Sequence, residues 1–413
     1  MKKTVLFSIA FVIETILLAQ PQGSSSGTAP QAAPFLPTFE VIGEGRPLLL
    51  ISDLKSDEIQ DELITSLKEH FKVILPADDL PDSLSLEQKA SALMFISTRT
   101  SRNPLSIIGI GEGAAIALEA ASLYPQDVDR VVILGDKGEE KTLHCPVLEL
   151  GSKNPKASKL WKSSKDFLLS PLEDLLPKVK GESKKILFDL SHAQCLDIYE
   201  GHETYPKVVP AYKRMISEMG GAELIVNEDA VIDGKLLSGV DVLIMLSPLS
   251  NKLQKNLSQT ERKALVDFVK DGKSLIFFID DAHRVDWNAY GALDVVSPFG
   301  FSFGQDVRLP GNVGAVAFPN EIFSGRHEIP YSGACVMTGG EPVSVCMEEG
   351  YLHGSIVKLP QGGKLYVGGD TMVGLLLGYF DGQRKTMEMM ETRWWGKDSY
   401  QYMSELIRWA LVQ

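Results

Sequence analysis

The stretch Leu105-Ser-Ile-Ile-Gly-Ile-Gly-Glu-Gly-Ala-Ala-Ile-Ala-Leu118 decides how the first half of this chain folds. Its opening residues form a short apolar run, the pattern of a strand buried on both faces. The strand meets a turn at Gly109-x-Gly111-x-Gly113, and an alanine-rich run then continues as a helix to the neighbourhood of Tyr124-Pro125. An apolar strand passing through a glycine turn into a helix is the repeating unit of a parallel α/β sheet.

That order of strand, turn and helix resembles the nucleophile elbow of the α/β-hydrolases, G-x-S-x-G. Gly109 and Gly113 match the two flanking glycines, and Gly111 stands where the family carries its serine. Glycine offers neither hydroxyl nor thiol, so the covalent acyl route is closed at this position. The resemblance extends outward. Pro47-Leu-Leu-Leu-Ile-Ser-Asp53 looks like the early strand before the oxyanion loop, Phe71-Lys-Val-Ile-Leu-Pro-Ala-Asp78 like the next strand, and Val131-Val-Ile-Leu-Gly135 like the strand after the elbow helix. Cys145-Pro-Val-Leu-Glu-Leu-Gly-Ser-Lys-Asn154-Pro155 looks like the strand and turn that hold the family's acid, and the acid position is Asn154. An amide orients a histidine without stabilising imidazolium, and no histidine follows at a suitable distance before residue 184. The resemblance therefore implies a degenerate hydrolase-like domain over residues 38–180. A dinucleotide-binding loop is the competing reading of the glycines. It lacks the last glycine of G-x-G-x-x-G, because Ala114 follows Gly113.

Met1-Lys2-Lys3, the apolar run Val5–Leu18 and a small residue at Ala19 read as a signal peptide over residues 1–19, which places the protein outside the cytoplasm, periplasmic or secreted. Glu14 within the run leaves an uncleaved N-terminal anchor as the alternative. The Ser, Gly, Pro, Ala and Gln of residues 20–37 read as a flexible linker. The remainder is too long for one ordinary domain and alternates strand and helix patterns, hence α/β with two three-layer α/β/α domains and mostly parallel sheets. A net charge of -13 argues against a nucleic-acid partner or an anionic membrane, and no membrane insertion is expected once a signal is removed. The partner class left is a small molecule, a glycan or a protein.

Four cysteines in an exported chain permit disulfides. Ala334-Cys335-Val-Met-Thr338 and Val343-Ser-Val-Cys346 flank Gly339-Gly-Glu-Pro342 as two arms of a hairpin, and pairing Thr338 with Val343 sets Cys335 opposite Cys346. A Cys335–Cys346 disulfide is one expectation; two small buried thiols are the other. Whether Cys145 meets Cys195 is left open.

A second domain is expected over residues 184–413. Ile186–Leu190 reads as a buried strand, Val208–Met219 as a helix closed by Gly220-Gly221, and Glu223–Val226 and Val240–Leu246 as further strands. Ser258-Gln-Thr-Glu261 is a capping box opening a helix with Leu265, Phe268 and Val269 inward and Gly272 at its end. Leu275–Ile279 is the next strand, and it delivers Asp280, Asp281 and His283 to its C-terminal end, where open α/β sheets bind ligands. These phrases, with Lys185-Ile-Leu-Phe-Asp-Leu-Ser-His192 and Gly362-Gly-Lys-Leu-Tyr-Val-Gly-Gly-Asp370, resemble the class I glutamine amidotransferase-like superfamily. Where the active members carry a cysteine after the strand, this chain has Asp280-Asp281, so the resemblance implies a domain without the thioester chemistry.

Strand ends of this domain offer His192, Glu200, His202, Asp281, His283 and Asp370 as candidates for acid, base or metal ligand. No cofactor is expected unless those loops converge, in which case a divalent metal is the candidate. The alternative is that strand-end Asp and His cap helices and bind loop amides. At the C-terminus Tyr402, Leu406, Trp409 and Ala410 share one helical face, and Trp394-Trp395 precede them in a loop. Two functions survive: an exported, non-catalytic ligand-binding or scaffold protein with dismantled active sites, or a hydrolase of a carbohydrate or peptidic substrate using the His192, His202, Asp281, His283 set.

Overall fold

A computed structural model describes residues 37–52, 57–100, 103–135, 138, 141–151, 157–178, 181–192, 207–308, 314–330, 333–346, 350–377 and 398–412. The fold is α/β with mostly parallel strands. The first sheet holds β1 (Phe39–Ile42), β2 (Arg46–Ser52), β3 (Phe71–Pro76), β4 (Leu105–Ile110), β5 (Val128–Leu134) and β6 (Val147–Glu149), in the order β1-β3-β2-β4-β5-β6. Only β1 runs antiparallel to its neighbour. The helices of this half are α1 (Asp57–Leu67), α2 (Leu86–Thr100), α3 (Gly113–Leu123), α4 (Ala157–Leu169) and α5 (Leu172–Leu175).

Strand alternation sorts the side chains. Leu49, Ile51, Ile74, Ile107, Val131 and Ile133 pack with Ala90, Leu93 and Ala117 of α2 and α3. Leu48, Leu50, Val73, Ile108 and Val132 pack on the other face with Leu63, Leu67, Leu160 and Leu168 of α1 and α4. With helices on both faces the inner strands β2, β4 and β5 are buried along most of their length, so they read as continuous apolar runs.

The second sheet contains β7 (Lys184–Asp189), β8 (Ala222–Asn227), β9 (Val242–Met245), β10 (Ser274–Phe278), β11 (Ser302–Arg308), β12 (Gly314–Ala317), β13 (His327–Pro330), β14 (Gly333–Thr338), β15 (Glu341–Cys346), β16 (Leu352–Lys358) and β17 (Lys364–Gly368). Its parallel core is β17-β10-β9-β7-β8, and an antiparallel extension runs outward from β17 through β16. The helices are α6 (Val208–Met219), α7 (Gln259–Lys270), α8 (Trp287–Tyr290), α9 (Ala292–Val296), α10 (Met372–Leu375) and α11 (Ser399–Leu411). Ile186, Phe188, Ile244 and Phe278 face α6, α10 and α11, while Leu187, Leu243, Phe277 and Val367 face α7 and α9. Ser258 caps α7 with both arms of the capping box formed.

The expected hairpin between residues 334 and 346 is corrected. β14 pairs with β11 and β16, and β15 with β12 and β16, so the two strands do not face each other. Leu352 of β16 pairs with Met337 on one side and Val345 on the other. Cys335 lies in the core on one face of the sheet and Cys346 in the core on the other, and both thiols are free. A Cys335–Cys346 bridge is therefore out of reach; both are small buried thiols. Cys145 is also free, and Cys195 lies outside the described residues.

Candidate functional site

Two places at the C-terminal ends of parallel strands hold the chemistry-bearing residues. The first is the turn after β4. Gly111 adopts φ 62°, the left-handed region that glycine enters without a Cβ penalty, and its N–H donates to Leu134 O of β5 at 2.7 Å. The helix α3 packs so close to β4 that a Cβ on Gly109 would stand 2.8 Å from both Ala114 Cα and Ala117 Cβ. The turn thus has the sharp course from strand to helix that projects whatever side chain residue 111 carries, and it carries none. A cavity of about 520 Å³ opens there, lined by Leu84, Leu86, Lys89, Gly111, Ala115 and Ile116 among others. Its walls are mainly apolar, with Lys89 and Glu112 contributing charges of opposite sign. Leu84, Leu86 and Lys89 on that wall were not singled out from the sequence, because an isolated leucine pair at a helix start carries no local signature. Asn154 lies outside the described residues.

The second place is the C-terminal edge of β7, β9, β10 and β17. His192 follows β7 and is fully buried. Its Nδ1 lies 2.9 Å from Asp189 Oδ2 and 2.8 Å from Ser191 Oγ. On the far side Nε2 sits 3.3 Å from Glu261 Oε1, an electrostatic contact rather than a hydrogen bond. Asn227 of β8 donates from Nδ2 to Asp189 Oδ1 at 2.8 Å and also to Ala230 O at 2.9 Å. Burial pushes the Glu261 carboxyl up, but hydrogen bonds from Ser258 and from the Ile232 N–H, with the attraction of His192, hold it below the usual range. The imidazole is thus clamped between β7 and the start of α7 with no face toward solvent.

Asp280 and Asp370 follow β10 and β17, which are neighbours, and both are fully buried. Asp280 accepts from Asp281 N–H at 2.8 Å and from Arg284 Nη1 at 3.1 Å. Burial lifts its carboxyl well above the ordinary range; Arg284 opposes this, and Asp370 and Asp281 add to it. Asp370 Oδ1 accepts from Met372 N–H at 2.8 Å, which fastens the start of α10. Asp281 is buried and accepts from Arg284 N–H at 3.0 Å, closing a turn. His283, two residues on, is exposed.

Asp281 and Asp370 flank Asp280 at the adjoining ends of β10 and β17, but the histidine candidates do not join them. His192 is enclosed two strands away from β10, with β9 between them; Asp281 serves its own turn; His283 points outward; His202 and Glu200 lie outside the described residues. Among the described residues no three His, Cys, Asp or Glu side chains form a set able to hold a metal ion. Sequence reading missed two partners that matter. Asp189 sits inside the quoted Phe-Asp-Leu-Ser-His phrase, and Glu261 was legible only as half of a capping box.

No protein-family model matches the chain, and no curated protein matches it. Solved structures do. A meta-cleavage product hydrolase from Pseudomonas fluorescens IP01 is 23% identical, with 23% of this chain and 39% of that chain covered and a TM-score of 0.21. An enol-lactonase from Burkholderia xenovorans LB400 is 16% identical over 23% of this chain and 41% of that one, with a TM-score of 0.21. A marine microorganism esterase is 20% identical over 33% and 52%, with a TM-score of 0.23. The chain spans about two fifths of the length of the first two. At these TM-scores the likeness is local, and the α/β class stands on the chain's own strand order.

Proposed function

We propose that this protein is an exported, non-catalytic ligand-binding or scaffold protein in which a hydrolase-like half keeps the elbow and its cleft without the nucleophile, joined to an amidotransferase-like half without its cysteine. The observation that carries the reading is Gly111: it occupies the elbow at φ 62° and borders a cavity of about 520 Å³, so the position that should attack a substrate instead leaves room for one. Support comes also from the dispersal of His192, Asp281 and His283, since acid–base or metal chemistry needs such groups in one open cleft. The N-terminal Lys-Lys and apolar run support export.

The test is turnover and covalent trapping. Purified protein is offered p-nitrophenyl butyrate and, separately, a fluorophosphonate probe of activated serines. No hydrolysis above the solvent rate and no adduct is the expected result. Saturable turnover, or stoichiometric labelling of a residue lining the Gly111 cavity, would refute the non-catalytic reading.

A further inference from the structure

The Gly111 cavity lies where an open α/β sheet takes its ligands. In the first sheet β3 lies on one side of β2 and β4 on the other, so the C-terminal ends of β2 and β4 border the crevice at which strand order reverses. The helix α3 starts against that crevice: a Cβ on Gly113 would stand 2.4 Å from Ile51 O, near the end of β2. No side chain caps α3, and Gly111 and Glu112 at its start line the cavity.

A second wall comes from α2, whose start is fixed by reciprocal bonds. Ser85 N–H donates to Gln88 Oε1 at 2.9 Å, and Gln88 N–H donates to Ser85 Oγ at 3.2 Å. Leu86 and Lys89, three residues apart and so on one helical face, are thereby held on the cavity wall, with Leu84 just before them. Ala115 and Ile116 of α3 add to the apolar lining. The two charges sit in different settings. Lys89 is half-buried and forms no ion pair among the described residues, whereas Glu112 is exposed, where water and salt screen it. The charge set deeper in the cavity is therefore the positive one.

We propose that the cavity takes a medium-chain aliphatic monocarboxylate, its tail against Leu84, Leu86 and Ile116 and its carboxylate paired with Lys89. The proposal rests on the ligand-binding reading of this cleft and names the class of ligand. A volume of about 520 Å³ with apolar walls and one converging cation suits a ligand with one charged end. A lysine ammonium and a carboxylate make a charge-assisted hydrogen bond, and the start of α3 favours the same sign of charge. Glu112 at the rim opposes a second negative charge, so a dicarboxylate of equal length binds more weakly. Each further methylene of tail that the walls cover is worth about fourfold in affinity.

Calorimetric titration of the full chain with octanoate, 1-octanol and octylammonium tests it, because the three share a tail and differ in the charge of the head. Octanoate is expected to bind at one site per chain, about tenfold or more tighter than either of the others. Lys89→Met brings octanoate down to the level of 1-octanol, Lys89→Glu moves the preference to octylammonium, and Ala115→Phe, which fills the cavity, weakens all three. Equal binding of the three head groups by the wild type overturns the carboxylate as the preferred head, and a preference for octanoate that survives in Lys89→Met overturns Lys89 as its partner. Octanoate binding that Ala115→Phe leaves unchanged places the ligand elsewhere and overturns the site. No binding of any of the three overturns the proposal while leaving a scaffold role standing. Turnover of p-nitrophenyl butyrate would instead refute the non-catalytic reading, and Lys89-dependent binding of octanoate would stand beside it.

Discussion

Gln126 and Leu375 are 249 positions apart and joined directly: Gln126 Nε2 donates to Leu375 O at 2.7 Å, while its Oε1 accepts from Leu377 N–H at 3.1 Å. One buried amide thereby satisfies the last carbonyl of α10 and the Leu377 N–H two residues beyond it. The helix before Gln126 is the elbow helix, so α3 carries the Gly111 cavity at its start and the tie to the second half just past its end. Gln126→Ala leaves Leu375 O and Leu377 N–H buried without partners, at a cost of about 1–3 kcal/mol. Urea unfolding should show a lower midpoint; an unchanged midpoint would mean that the tie contributes nothing to holding the halves together.

Gly111→Ser places a hydroxyl in the turn after β4 without adding an acid or a base. The variant is expected to hydrolyse p-nitrophenyl acetate no faster than the wild type. Serine at φ 62° also carries a backbone penalty of about 1–2 kcal/mol, read as a lower melting temperature. Appreciable saturable turnover by the variant would show that a base stands within reach of residue 111 after all.

What the sequence made legible was local. The run from Leu105 to Leu118 specifies strand, turn and helix because each property is written in adjacent residues: apolar burial, glycine freedom, alanine helicity. Ser258 and Glu261 announce their capping box for the same reason. The Cys335–Cys346 hairpin failed because alternation and a Gly-Gly turn fit any antiparallel partner, and only the long-range pairing to β16 decides which partner each strand takes. His192 looked like a pocket histidine because strand ends line pockets. Its burial depends on Glu261, which arrives from another element, and no periodicity reveals that contact.

Asp280 makes stability fall as pH rises. Its folded-state carboxyl is raised above the unfolded value by burial, with Asp370 and Asp281 adding to this and Arg284 opposing it. The folded protein therefore holds a proton that the unfolded chain releases from about pH 4 upward. The contribution is fully present below that pH and is lost progressively above it. Asp280→Asn keeps an acceptor for the Asp281 N–H and cannot ionise, so its stability relative to wild type should grow between pH 5 and pH 8 in urea unfolding. A difference that stays constant over that range would mean that Asp280 does not titrate between the folded and unfolded states.

His353 acts in the opposite direction. It is fully buried on β16, its Nδ1 lies 3.0 Å from Ser344 Oγ, and Ser344 in turn meets the Tyr402 hydroxyl at 3.0 Å. Burial pushes its imidazole down to about 3, against an unfolded value near 6.5. The unfolded chain then binds a proton that the folded protein refuses throughout that interval, so stability contributed above pH 6.5 is lost as pH falls toward 3, on the order of 5 kcal/mol in full. His353→Asn offers Ser344 an uncharged partner that does not titrate. The variant should lose less stability than wild type between pH 6.5 and pH 4, whatever its stability at neutral pH. Parallel pH profiles for the two proteins would place the imidazolium within reach of solvent or a counter-charge and refute a neutral, sealed His353.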